Sequence, residues 1–385
     1  MNIVFLNDFE PNNRYSAFDN IIIEFGLDSQ PASDIYEAEI EGLDFPVKLS
    51  PSPQGVFYFN FKVYSKSYLT EEDLQDRINY NTDLQDGGSL TKQDDFFFDS
   101  FFITIKIILD DDTIISKNTV INFLRAVKDN ERFFKYLFIE KDSLIEYIAP
   151  TIYYFNGYPL DIGVFSNQLT NIGLSNNDNP NDGNSVALST YQQANNYQFA
   201  RVILSNGETN IKSTNGNDLI QNMNAIYITD FDEVDFAIKI FNLKKIEHCG
   251  GHYLKWLNRS GDFSYFLFSN KHEQSIKASD KGKINNDFNN KKSTVSRYLS
   301  KGKTSKREMR LFKQSADEEM RYFLSDLIDS PRVYYYTGER GQAASDISWI
   351  EVNVTDSDLE LQRPKENKWD FYLEIEFPEY KNQVI

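Results

Sequence analysis

The sequence predicts a mainly β protein: two or three β-sandwich-like domains with long loops and one short helix near residues 315–328. Three observations predict it. Apolar residues recur at every second position through much of the chain, the period of a strand with one buried face. Aromatic residues make up 15% of the composition, with 31 Phe and 23 Tyr, and such side chains suit a pleated, half-buried surface. Turn residues punctuate the alternating runs at short intervals.

The first clear run is DIYEAEIEG. There Tyr36, Ala38 and Ile40 are expected on one face and Ile35, Glu37, Glu39 and Glu41 on the other, with Gly42 ending the run. In LDFPVKLS, Phe45, Val47 and Leu49 alternate with Pro46, Lys48 and Ser50. PSPQG (51–55) is a turn in composition, because Pro presets φ and Gly admits positive φ. VFYFNFKVY follows, with Phe57, Phe59, Phe61 and Val63 expected on one face. FFITIKIIL aligns Phe101, Ile103, Ile105 and Ile107 before Asp110–Asp112. These runs predict a first β-sandwich domain over residues 1–145.

A β-rich middle domain is expected over 146–313. Residues 118–144 fit a helix or long strands equally. Asn156–Gly157 and Asn206–Gly207 mark turns, and SNNDNPNDGNS (175–185) is a surface loop by composition. Residues 314–385 are expected to hold the helix and the C-terminal strands. Ser315 and Glu318 have capping-box spacing. Met320, Phe323, Leu324 and Leu327 then form one helical stripe, and Pro331 lies past its end. Ile350, Val352 and Val354 alternate with polar neighbours, as do Phe371, Leu373, Ile375 and Phe377.

Composition bounds the function. The chain carries 58 acidic and 40 basic residues, a net charge of −18. A protein this acidic is not, as a whole, a binder of nucleic acid or anionic membrane. The single cysteine excludes an internal disulfide. The start, MNIVFLNDFEPNN, lacks the basic and apolar regions of a secretory signal. The most apolar stretch, 96–109, is too short and too polar to span a bilayer, so a soluble chain is expected.

The crowded stretch HCGGHYLKWLNRSGDFSYFLF poses the sharpest chemical question. As a hairpin, it turns through Asn258–Asp262 and leaves both faces apolar, with Tyr253, Trp256, Phe263, Tyr265 and Phe266 as its packing residues. Such a pair lies between layers or at a subunit contact. A metal site would use His248, Cys249, His252 and His272, but Gly250 and Gly251 oppose the helix that H-x-x-x-H ligation needs. A Cys–His nucleophile lacks identifiable partners. GKTS (302–305) is no phosphate loop, because Arg297 stands where the motif requires Gly. G-x-S-x-G does not occur. Asp110–Asp112, Asp230, Asp232 and Glu233 are carboxylates without a defined pairing, and Asp178–Asn184 breaks the calcium-loop pattern. No catalytic residue, cofactor or metal is therefore expected.

Residues 271–313 are the compositional outlier, with thirteen Lys or Arg against four acids, a local charge of +9. The remainder of the chain then carries −27. The segment is expected as an exposed loop or arm that orders on assembly, with Lys281, Lys283, Lys291, Lys292, Arg297, Lys301, Lys303, Arg307 and Arg310 as its contacting residues. It has three readings: contact with phosphates, docking on an acidic face of a neighbouring copy, or a solvated loop. Few aromatics interleave the charges, which disfavours base stacking. Docking between copies follows most directly from the charge separation.

PSPQG before VFYFNFKVY, the hairpin YLKWLNRSGDFSYFLF, and the ending WIEVNVTDSDLELQ with WDFYLEIEFPEY resemble structural proteins of tailed bacteriophages, of the tail-tip, baseplate or distal-tail type. The resemblance covers about a third of the chain, in patches, and carries no functional residue across. It implies a non-enzymatic virion subunit, assembled in the host cytoplasm, that works in multiple copies as a ring or collar. Its partners would be copies of itself and other virion tail proteins; composition points away from membrane and disfavours nucleic acid, and carbohydrate stays open as a partner. Two alternatives remain. A carbohydrate-binding adhesin would expose Trp256, Trp349 or Trp369. A carboxylate-based glycosidase would hold two close acids in a cleft.

Overall fold

The computed structural model describes residues 1–7, 9–11, 14–29, 31, 34–69, 74–76, 78, 80, 91–93, 98–125, 151–166, 172–175, 185–187, 198–213, 215–222, 224–230, 237–248, 250–259, 261–285, 296–359 and 369–378. The protein is mainly β, built from several sheets around two apolar cores.

Alternation through the first 124 residues gives two sheets. One orders the strands Ile3–Phe5, Ile22–Leu27 and Phe57–Asn60. The other orders Arg14–Ser16, Ile114–Leu124, Phe98–Leu109, Ile35–Glu41 and Val47–Leu49. Their inner residues form one core, in which Phe25, Phe57, Phe61, Phe101 and Phe123 are fully buried. Phe25 stacks on Phe57 at 5.4 Å, and Phe101 packs on Phe123 at 4.9 Å. Each such ring contributes about 1.5–3 kcal/mol by leaving water. Asp110–Asp112 is the turn of the long hairpin: Asp112 takes φ +62°, and the amide of Thr113 donates to the carboxylate of Asp111.

Two details differ from the expected pattern. The register slips between Ile35 and Glu37, a β-bulge. It turns Ile35 into the core and leaves Tyr36 exposed, the reverse of simple alternation. The strand after PSPQG stops at Asn60, whose side chain accepts the amide of Lys62, and a helix spans Lys62–Tyr68. Val63 therefore points into solvent.

The second core joins three sheets. A seven-stranded sheet runs in the order Phe263–Phe268, His252–Leu257, Val333–Tyr336, Trp349–Leu359, Trp369–Glu376, Lys303–Ala316 and His272–Asp280. A three-stranded sheet orders Pro159–Ser166, Gln198–Asn206 and Thr91–Gln93. A five-stranded sheet orders Thr151–Phe155, Ala237–Ile246, Ala225–Asp230, Ile172–Ser175 and Ser185–Ala187. Ile78 and Tyr80 lie in this core, although in sequence they fall between the strands Phe57–Asn60 and Phe98–Leu109 of the N-terminal pair of sheets.

The predicted helix spans Glu318–Ile328. Ser315 belongs to the strand that continues to Ala316 by pairing with Trp369, so the helix starts later than a 315–318 capping box would place it. Asp317 is the cap, its carboxylate accepting the amide of Met320 at 2.8 Å. Met320, Leu324 and Leu327 are buried, and Phe323 meets Trp256 edge-on at 5.3 Å. Of 118–144, residues 118–124 are strand; 126–144 lie outside the described residues, as do 178–184, Asp232 and Glu233. No helix among the described residues is long and apolar enough to cross a membrane.

Candidate functional site

The crowded stretch folds as the hairpin His252–Leu257 with Phe263–Phe268, six rungs in continuous register. Tyr253, Trp256, Phe263, Tyr265 and Phe266 are all buried. The glycines before it have a steric cause. Gly250 takes φ +119°, and a Cβ on Gly251 would collide with the backbone carbonyl of Phe268. His252 and His272 touch through Nε2 and Nδ1 at 2.9 Å, and Nδ1 of His252 meets the Tyr335 hydroxyl at 2.8 Å. Burial and the neighbouring His272 press His252 down to about 4, so it is neutral at pH 7. Among the described residues no three or more His, Cys, Asp or Glu gather as a metal site; Cys249 lies outside them.

One face of the hairpin covers a network of charges that alternation alone does not reveal. Arg201 donates from Nε to Asp161 at 2.7 Å and from Nη1 to Asp76 at 2.5 Å. Lys255 pairs with the other oxygen of Asp76 and sits 4.0 Å from the ring centre of Trp349. Tyr265 donates to Asp161, and the single proton of Tyr80 goes either to the Tyr265 oxygen at 2.6 Å or to Asp161 at 3.2 Å. Asp262 accepts the amide of Gly163 and lies 3.6 Å from Arg201. Asp76, Asp161, Arg201 and Lys255 are at most 3% exposed, and Asp262 is 13% exposed.

Three carboxylates thus face two cations. Burial alone would raise Asp76, but Arg201 and Lys255 overcome it and hold the group well below the usual carboxylate range. Burial and the charge of Asp161 push Asp262 up to about 6, against the pull of Arg201. Burial lowers Lys255, and Asp76 opposes that shift. Asp161 sits in PLDIGVF, Arg201 in FARVIL and Lys255 in YLKWL. Each is a single charge inside an apolar strand, and that is the signal by which the sequence marks them. The network ties the segment around Asp76 and Tyr80 to the three-stranded sheet and to the hairpin. Among the described residues, Asp76, Asp161, Arg201 and Lys255 are closed off from solvent, and Asp262 keeps a small exposed edge.

The basic segment, expected as an exposed loop or arm, is in its described residues an arm built as a β-hairpin. His272–Asp280 pairs with Lys303–Ala316 through nine rungs, and Lys283–Asn285 pairs with Tyr298–Ser300 at the far end. All nine residues of His272–Asp280 are exposed. The strand Trp369–Glu376 covers the other side of the pair up to the rung Glu308–Glu376. Beyond it, among the described residues, the ribbon continues as two strands. From Lys277 to Asn285 that is about 25 Å at the usual rise. Lys281, Lys283, Arg297, Lys301 and Lys303 lie exposed on this projection. Arg307 and Arg310 do not. They belong to the sheet, with Arg307 over Phe377 and Arg310 donating to Glu374 at 3.0 Å. Lys291 and Lys292 lie outside the described residues.

Neither tryptophan with a described side chain offers a sugar platform. Trp256 is fully buried, and Trp349 packs among Tyr253, Tyr265 and Tyr336. The Trp369 side chain lies outside the described set. Among known proteins, no family model matches the chain, and a search of curated proteins finds no match.

Proposed function

We propose that this chain is a non-enzymatic structural subunit that works in multiple copies, of the kind found in a phage tail or baseplate. The observation that supports the reading best is the projecting ribbon. It holds Ile276, Ile284, Tyr298 and Leu299 in solvent, and it carries the basic surplus of a chain that is otherwise acidic. A two-stranded ribbon is marginal alone in water, so a docked neighbour supplies the surface against which it is stable. Positive charge on the ribbon and negative charge elsewhere steer one copy onto the next.

The sealed network favours the same reading over carboxylate catalysis. Its acids are close together and one is raised, yet among the described residues they are bonded to side chains that fasten segments of the core. The experiment replaces residues 281–302 with an Asn-Gly turn, which keeps the strands His272–Asp280 and Lys303–Ala316 and removes the tip of the projection. Sedimentation is measured at about 50 mM and about 500 mM salt, on either side of physiological screening. The parent should form a large assembly that shrinks in high salt, and the truncated chain should fold normally without forming it. A truncated chain that assembles like the parent would overturn the proposal.

A further inference from the structure

The outer face of the seven-stranded sheet bears an ion ladder that stops short. Glu374 meets Arg310 at 3.0 Å, and Glu376 meets Lys306 at 2.8 Å. On the edge strand, Lys277 meets Glu308 at 2.5 Å and Glu374 at 3.6 Å. Glu273 shares that face, four residues before Lys277, and has no ion partner among the described residues. Arg310 lies across from it in register but is engaged by Glu374.

The strand that carries Glu273 is also an unprotected edge. Its nine rungs run without a bulge, it contains no proline, and no described strand covers its outer side. Natural edges of this length are normally blunted or paired. An antiparallel pairing of this edge with itself must centre on a residue, because outward amides and carbonyls alternate along a strand. Centring on Gln274 sets Lys271 opposite Lys277, and centring on Lys277 sets that residue opposite itself. Centring on Ile276 leaves Glu273 opposite Ser279. Centring on Ser275 places Glu273 opposite Lys277 twice, Gln274 opposite Ile276 twice, and the small Ser275 against its own copy. Opposed unlike charges stabilise such pairs and like charges destabilise them.

We propose that two copies of this chain pair their His272–Asp280 edges antiparallel about Ser275, with Glu273 of each facing Lys277 of the other. The pairing is a two-fold, self-complementary contact that adds one sheet edge to another. It names one contact within the assembly proposed above and rests on that reading, but it uses the sheet edge and not the projecting tip.

The test exploits the symmetry. In a Cys249→Ser background, Ser275→Cys should cross-link to itself under mild oxidation, since directly opposed Cα atoms lie about 4.5–5.5 Å apart, within disulfide range. Ser279→Cys, whose two copies would lie about 25 Å apart along the strand, should not. Glu273→Lys and Lys277→Glu each create two like-charge pairs, so each alone should dimerise at least about tenfold more weakly. Mixed together they restore both unlike pairs and should form a heterodimer. Circular dichroism checks that each variant is folded. Equal cross-linking at 275 and 279, or a mixture that pairs no better than its components, would overturn the register. Loss of the large assembly on tip truncation, with no cross-link at Ser275, would sink this inference and leave the assembly reading standing. A cross-linked dimer in a chain whose truncation changes nothing would do the opposite.

Discussion

Replacing Arg201 by Met should cost about 3–5 kcal/mol of stability, because it strips the cation from two buried carboxylates at once. Arg201 donates to Asp161 at 2.7 Å, to Asp76 at 2.5 Å and to the Tyr265 hydroxyl at 3.2 Å. Each charge-assisted bond is worth roughly 1.5–3 kcal/mol net, so losing the two to carboxylates gives about the same total. Met fills most of the aliphatic volume against Phe263, which keeps the packing loss small. The pH dependence carries a sign. A depressed carboxylate such as Asp76 contributes stability above its unfolded pKa and loses it as pH falls through the folded value. Without the guanidinium, the carboxylates can escape burial of charge only by taking up protons. The deficit of the variant should therefore be largest near pH 8 and shrink on acidification to pH 5. Urea unfolding at both pH values measures it, and limited proteolysis reports whether the segment around Asp76 and Tyr80 has come loose. A loss under about 1 kcal/mol, or one that does not change with pH, would refute the view that this network clamps the core.

Two other perturbations test the same region. Asp262 is raised to about 6 by burial and Asp161, so its charge lowers stability as pH rises from about 4 through 6. Asp262→Asn should then stabilise the protein by about 1–2 kcal/mol at pH 8, after allowance for its partial exposure and a poorly placed amide, and by much less near pH 4; urea titrations at the two ends measure it, and a variant less stable at pH 8 counts against the account. Gly251→Ala drives a Cβ into the Phe268 carbonyl and should cost more than about 2 kcal/mol; thermal unfolding unchanged within about 1 °C contradicts that close approach.

Much of the fold is legible in the sequence because the residues that decide it are local. Phe101, Ile103, Ile105 and Ile107 alternate and are all buried, and the two prolines and the glycine of PSPQG turn the chain where composition places the turn. The misses have physical causes. A bulge at Ile35 reverses two side chains, and bulges depend on the partner strand, which a single sequence does not name. The basic segment lacks apolar alternation because its described strands stand in solvent, so it reads as an exposed loop or arm and its strand pairing does not show. The charged network escaped notice because Asp76, Asp161, Arg201 and Lys255 lie far apart in sequence, and a lone charge in an apolar run looks like an edge position until its counter-ion arrives from elsewhere.

The strand order of the seven-stranded sheet also constrains when the protein can fold. Trp369–Glu376 lies between Trp349–Leu359 and Lys303–Ala316, yet the ribosome makes it after both. Until it emerges, its two future neighbours present bare flanks to each other and to other nascent chains, a state prone to mispairing. Completion of this sheet thus waits until residue 376 has been made, and fragments that stop short of residue 369 should be recovered in inclusion bodies.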